Sequence, residues 1–246
     1  MTMHIDLTAL GDTLGRLRSS ASGVGVGPAL RNVCTAAGEL FAVEGAGLLV
    51  VDDDAVLRTI AASNREASSL ERAHERTGEG PCVDAITLDA VVQTSDVRSD
   101  ERWPALNQEL RDSSIRAVLG VPVHAGGSTI GSLNVYRHDP YDWDDSDVEA
   151  ITAFSGVAEH LVATALLAQS HESVIEQLRH ALDSRVVIER AVGVLMSQQR
   201  VDAAAAFQQL RASARAERRK VAELAAEVLA GIVSEPEPAR PPTSVV

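Results

Sequence analysis

Ile115–Tyr136 reads IRAVLGVPVHAGGSTIGSLNVY, and this stretch decides the fold class. Two apolar, β-rich runs, Ile115–Val123 and Ser128–Tyr136, flank the pair Gly126-Gly127. Adjacent glycines accept the positive φ angles of a tight turn, so the stretch predicts a β-hairpin. Working upstream, Ala90–Gln93 reads as a short strand, and Leu48–Val51 with Leu57–Ala62 reads as another hairpin around the acidic turn Asp52–Asp54. Pro28 can open a helix at its first turn, and Leu30, Val33, Ala37, Leu40 and Phe41 then recur at helical spacing. Downstream, Asp142, Asp144, Asp145 and Asp147 lack the glycine of a calcium loop and read as the acidic start of a helix, with Asp144 or Asp145 as its cap. The order helix, hairpin, helix, strand, hairpin, helix describes an α+β domain: an antiparallel sheet flanked by helices.

From Asp147 to about Gln199 the chain has no proline. Ile151, Phe154, Ala158, Leu161, Ala165, Ala168, Ile175 and Leu182 fall on alternating steps of three and four, interrupted at Glu172 and Arg179. This spacing predicts a long coiled-coil helix that leaves the first domain and dimerises. A single amphipathic helix packed on its own sheet would give the same spacing. Asp202 can cap a following helix over Ala203–Arg215, and Val221, Leu224, Ala225, Val228 and Leu229 mark a last one. The long helix and these two predict an all-α three-helix module. Four prolines in 234–246 mark a disordered tail.

Charge follows the same division. Residues 1–169 carry 12 arginines against 25 acidic residues, whereas 170–233 carry 9 basic against 8 acidic ones. The first part repels polyanions and suits a soluble sensor; only the second can approach a nucleic acid. Lys220 is the one lysine among 22 basic residues. That excludes a phosphate loop ending in Gly-Lys-Ser/Thr and a kinase core. With no apolar run of membrane-spanning length, no signal-peptide pattern, and two cysteines in no zinc or disulfide spacing, a soluble cytoplasmic protein is expected.

Arg211, Arg215, Arg218, Arg219 and Lys220 stand against Glu217 within 211–220, a net of +4. On a helix Arg211, Arg215 and Arg218 share a face, and guanidinium groups pair with phosphate and stack on unpaired bases. A solvated face tied to acidic neighbours explains the same run. Cys82 sits at the expected start of a helix, where the dipole favours a thiolate and hence redox sensing; burial as a small hydrophobe is the alternative. The seven histidines show no paired ligand spacing, and no Gly-x-Ser-x-Gly elbow places a nucleophile. No catalytic constellation, and so no enzyme, is expected.

Two stretches resemble known families. Residues 13–167 are similar to a GAF domain of the actinobacterial type, through Gly78-Glu79-Gly80-Pro81-Cys82-Val83-Asp84-Ala85, Glu101-Arg102-Trp103-Pro104, Ala117–Val123 and Ile130–Tyr136. The resemblance implies a sensory fold for an unknown small-molecule ligand or a redox signal, with dimerisation through terminal helices. The Asn-Lys signature of cyclic-nucleotide binders is absent. Residues 171–232 resemble an ANTAR domain, through Ala181–Met196, Ala206–Arg211, Lys220 and Ala225. That family implies a homodimer binding paired RNA stem-loops in nascent transcripts, with Arg185, Arg211, Arg215, Arg218, Arg219 and Lys220 as contacts and Gly193 allowing close approach. The family pattern has Lys where Val192 stands, Ser at Ala214, Asn at Arg218 and a basic residue at Ala222. The expected function is a signal-responsive transcription antiterminator, with a ligand or redox sensor that docks a protein through its altered C-terminal helices as the alternative. Neither a membrane partner nor a metal is expected.

Overall fold

The computed structural model describes residues 26–52, 56–167, 173–217 and 219–233. The chain forms two compact units, Met1–Val186 and Val187–Val246. The first begins with helix α1 (Val26–Phe41) and the hairpin β1 (Gly45–Val51) and β2 (Leu57–Ala62). It continues through α2 (Arg65–Thr77), α3 (Pro81–Leu88), β3 (Val92–Thr94) and α4 (Pro104–Glu109). The second hairpin, β4 (Ala117–Ala125) and β5 (Ser128–Arg137), is followed by α5 (Asp145–Leu167). Helix α6 (Ser173–Gln199) contains the division, and α7 (Ala203–Glu217) and α8 (Val221–Val233) complete the second unit.

The five strands form one antiparallel sheet in the order β2-β1-β5-β4-β3. Both expected hairpins are present. Ala125 pairs with Ser128, leaving Gly126 and Gly127 as a two-residue turn at φ 58° and 84°. Two positive φ angles in succession match the right-handed twist of the strands, which is why glycines serve here. The single helix expected between the first hairpin and β3 is two helices. Gly78, at φ 66°, ends α2 by donating to the His74 carbonyl, and Pro81 opens α3 after Gly80. The short α4 lies in a segment with too few residues to show a period.

Alternation along the strands makes two unlike faces. Ala46, Leu48, Val50, Ala117, Leu119, Val121, Val123, Leu133 and Val135 belong to the apolar core. Helices α1 and α5 cover that face, contributing Leu30, Ala37, Leu40, Phe41, Ile151 and Val162. The opposite face carries Gly45, Gly47, Gly120, Ser132, Asn134 and Tyr136 beneath α2 and α3. Helix α5 starts on a reciprocal cap, since the Asp144 amide donates to Asp147 Oδ2 (3.1 Å) and the Asp147 amide to Asp144 Oδ1 (3.0 Å). Within the stripe read as a coiled coil, Ile151 and Ala158 are wholly buried in this unit. The side chains of Ala165, Ala168, Ile175 and Leu182, and the segment joining α5 to α6, lie outside the described residues.

Gly131, in the middle of β5, is a point of close approach: a Cβ there would lie 2.1 Å from the Leu49 carbonyl oxygen. That oxygen is backbone in a paired strand and cannot yield without breaking the register. Gly131→Ala is expected to lower stability by about 1–3 kcal/mol, read as a lower urea midpoint in equilibrium unfolding.

Candidate functional site

Three chemically active side chains meet between α2, α3 and the polar face of the sheet. Glu71 and His74 lie one turn apart on α2, and Cys82 stands in the first turn of α3. All three are 0% exposed, and their ligand atoms lie within 4.8 Å of one another. Asn134 of β5 donates to both Glu71 carboxylate oxygens at 3.0 Å. His74 Nδ1 stands 3.5 Å from Glu71 Oε2 but without hydrogen-bond geometry. Among the described residues both His74 ring nitrogens are buried without a hydrogen-bond partner, as are Asn134 Oδ1 and Ser132 Oγ. A buried polar atom left unpaired costs about 1–3 kcal/mol, so such a group calls for an explanation.

Glycines make room for each member. A Cβ at Gly47 would stand 2.0 Å from Glu71 Oε1, one at Gly80 would stand 2.4 Å from the His74 ring, and one at Gly120 would stand 3.1 Å from Cys82 Cα. Gly80 also adopts φ 131°, a value that L side chains avoid. Sequence reading singled out Cys82 alone. The structure puts it at the start of α3 as expected, yet burial, with Glu71 nearby, pushes its thiol well above the ordinary value. Left to itself it is a protonated, enclosed thiol, unlike the accessible thiolate that redox sensing needs. Glu71 and His74 carry only an i, i+3 spacing in the sequence; the packing of α2 on β5 brings Asn134 to them, and the turn at Gly78–Gly80 brings Cys82.

The second unit is built on Ile188, Ala191, Ala206, Phe207, Leu210, Ala214, Val221, Leu224 and Ala225, all buried. Asp202 caps α7, its carboxylate accepting the Ala205 amide at 2.8 Å. Arg211 lies on the buried side of α7 with Phe207, Leu210 and Ala214. Arg219 is ion-paired with Glu217, Glu223 and Glu227, and the bonds to Glu227 first and Glu217 second hold its guanidinium above the ordinary arginine value. Lys220 and Gly193 are exposed, and among the described residues a methyl group at 193 would meet nothing within 4 Å. Arg218 and the side chain of Arg215 lie outside the described residues. Arg185 belongs to the first unit and is 5% exposed, its Nη2 donating to the Ile86 carbonyl at 2.7 Å. This differs from the outward placement expected of an RNA contact: the last turn of α3 offers unpaired carbonyls, which attract a cation.

The GAF domain family model matches residues 27–161, more than half of the chain. The chain belongs to the GAF domain family. The ANTAR domain family model matches residues 176–229 of the same chain. No curated protein matches the sequence. Among solved structures, the GAF domain from Acinetobacter phosphoenolpyruvate-protein phosphotransferase is 18% identical, with a TM-score of 0.51 over 65% of this chain and 96% of that one. A domain of a Sinorhizobium meliloti protein described as a two-component sensor histidine kinase is 16% identical, with a TM-score of 0.50 over 61% of this chain and 100% of that one. The fRMsr of Staphylococcus aureus, in complex with its substrate, is 16% identical, with a TM-score of 0.50 over 65% and 98%. These likenesses concern the fold alone. At the level of its two families the chain is a signal-sensing regulator with an RNA-binding antitermination module. Among the described residues no helix is long and apolar enough to cross a membrane.

The GAF motif residues brace one another. Trp103 Nε1 donates to Asp84 at 2.9 Å, and Glu79 accepts the Ala105 amide at 2.8 Å. A second brace reaches α5, because His124 on β4 lies between Glu159 (2.8 Å from Nδ1) and Asp89 (2.7 Å from Nε2). Two carboxylate acceptors require both ring nitrogens to donate, which is the imidazolium form. Although partial burial pulls the other way, the bonds to Glu159 and Asp89 hold His124 above its ordinary value of 6.5. Stabilisation from a raised histidine is complete below the unfolded-state value of about 6.5 and is lost as pH rises through the folded-state value. The Tm gap between the wild type and His124→Gln should therefore be widest near about pH 6 and close towards about pH 9, in thermal melts across that range.

Proposed function

We propose that the GAF unit receives a small-molecule or redox signal and, in a homodimer, sets the arrangement of the two ANTAR modules. In the arrangement competent for binding, the pair grips two stem-loops of a nascent transcript and prevents terminator formation. The observation that carries this reading is the ANTAR match over 176–229, joined in one chain to a GAF domain. The physics agrees, because the basic excess is confined to the C-terminal part while the sensor is strongly acidic. Phosphate and base contacts fall to Arg215, Arg218 and Lys220. Arg211 stays on the buried side of α7, Arg219 steadies the α7–α8 corner, and Arg185 joins the contacts where it leaves α3. Gly193 fits a close approach of RNA or of the second copy: a glycine inside a helix costs about 1 kcal/mol against alanine, and no neighbour among the described residues requires it.

The test is binding of the full chain to a pool of transcript leaders at low and moderate salt. Paired stem-loops should be enriched, with log affinity falling by about 0.7 per neutralised phosphate per decade of salt on single-stranded loops. Arg215→Ala with Arg218→Ala should weaken binding at least about tenfold while leaving the helical circular dichroism intact. Unchanged affinity in that double variant rejects this face. Gly193→Ala should raise the Tm of the protein and lower its RNA affinity together.

A second reading has observations of its own. Arg219 is spent on three glutamates of its own module, Arg211 is buried, and Val192 and Ala222 stand where the family pattern has basic residues. These favour α7 and α8 as a protein-docking surface without RNA. Binding of a protein partner that varies little with salt, and no stem-loop enrichment at low salt, would decide for it.

A further inference from the structure

We infer that Glu71, His74 and Cys82 form a binding site for one divalent transition-metal ion of zinc's character inside the GAF unit. The three donors are a carboxylate oxygen, an imidazole nitrogen and a sulfur, a set that suits zinc or ferrous iron and not magnesium or calcium. One pair has the spacing such an ion takes, and the thiol lies close to it. Ligands at about 2.0–2.3 Å from a tetrahedral ion stand roughly 3.3–3.8 Å apart. His74 Nδ1 and Glu71 Oε2 are already 3.5 Å apart, and all three donor atoms lie within 4.8 Å.

The unpaired buried atoms make the independent case. A fully buried histidine with neither ring nitrogen hydrogen-bonded among the described residues calls for a partner, and a metal ion beside Glu71 and Cys82 supplies one. The surroundings are shaped for such an ion. Asn134 holds both Glu71 oxygens at 3.0 Å, the kind of outer partner that orients a metal-ligating carboxylate. Gly47 and Gly80 stand where a Cβ would crowd Glu71 and His74, and Gly120 lets the backbone of α3 at Cys82 lie close to β4. Charge balances too: a divalent cation with the Glu71 carboxylate and the Cys82 thiolate sums to zero, a state a buried site tolerates. On binding, the sulfur–metal bond replaces the S–H bond, and the proton leaves to solvent. Three protein ligands leave a fourth position for water or an exchangeable ligand, as in zinc sites that do more than hold the fold. The site ties α2 and α3 together over β1, β4 and β5.

The experiment uses the full chain, stripped with a chelator and titrated with Co²⁺, then with Zn²⁺. One equivalent of cobalt should bring up a thiolate-to-cobalt charge-transfer band with tetrahedral d–d absorption, and zinc should displace both. Zinc should also raise the Tm, and chelator should reverse the rise. Cys82→Ala should lose the charge-transfer band, and His74→Gln should weaken cobalt binding at least tenfold, while Cys34→Ala keeps both signals. Circular dichroism of each variant confirms that it is folded. Folded wild type without the charge-transfer band, or a band that survives in Cys82→Ala, overturns the site. RNA binding enters neither outcome, so this result and the antiterminator reading stand or fall separately.

Discussion

Because β5 is hydrogen-bonded to β1 along one edge and to β4 along the other, its two-residue alternation sets the character of the whole sensory unit. Leu133 and Val135 point into the apolar core, whereas Ser132, Asn134 and Tyr136 point to the opposite face. A slip of one residue would exchange them, placing a buried amide against α1 and α5 and leucine beneath α2. Gly131 holds that register, since only a residue without a side chain lets β5 lie against the Leu49 carbonyl. The sheet thus has one side that supplies stability and another that supplies room and polarity.

The polar side is where burial, charge and local geometry conflict. A carboxylate, an imidazole and a thiol are enclosed together; Asn134 satisfies the carboxylate, while among the described residues neither imidazole nitrogen has a hydrogen-bond partner. Natural cores pair such groups or use them, because the cost of leaving them unpaired is a sizeable part of a domain's net stability. On the other side, α5 is anchored through Ile151, Ala158 and Val162 and tied at its edge by Glu159 to His124. The helices α2 and α3 on one face and α5 on the other, the helix that ends the GAF match, thus pack on the same sheet.

The C-terminal unit shows how a charge run divides its labour. Read as a string, 211–220 is a uniformly basic patch. Folded, Arg211 joins the inner side of α7, and Arg219 turns to the glutamates around the α7–α8 corner. A long side chain with a charged tip can pack its stem and satisfy its head locally, so a net charge counted along the chain overstates what faces a partner.

The sequence by itself determined the elements that rest on local periodicity. Both hairpins follow from alternating apolar runs around turn residues, α1 and its buried positions follow from the 3.6-residue spacing, and the caps at Asp144 and Asp202 follow from short-range hydrogen bonding. The two modules were legible from charge and from motif order. Only the tertiary structure decided what those elements bring together. Glu71, His74, Cys82 and Asn134 come from two helices and a distant strand, and their convergence depends on glycines across the sheet that no local pattern weighs. Arg185 on the last turn of α3 and Arg219 on Glu227 are likewise contacts between residues far apart or around a corner. Periodicity is a property of neighbours along the chain, whereas a site is a property of neighbours in space, and the chain records the second only once it has folded.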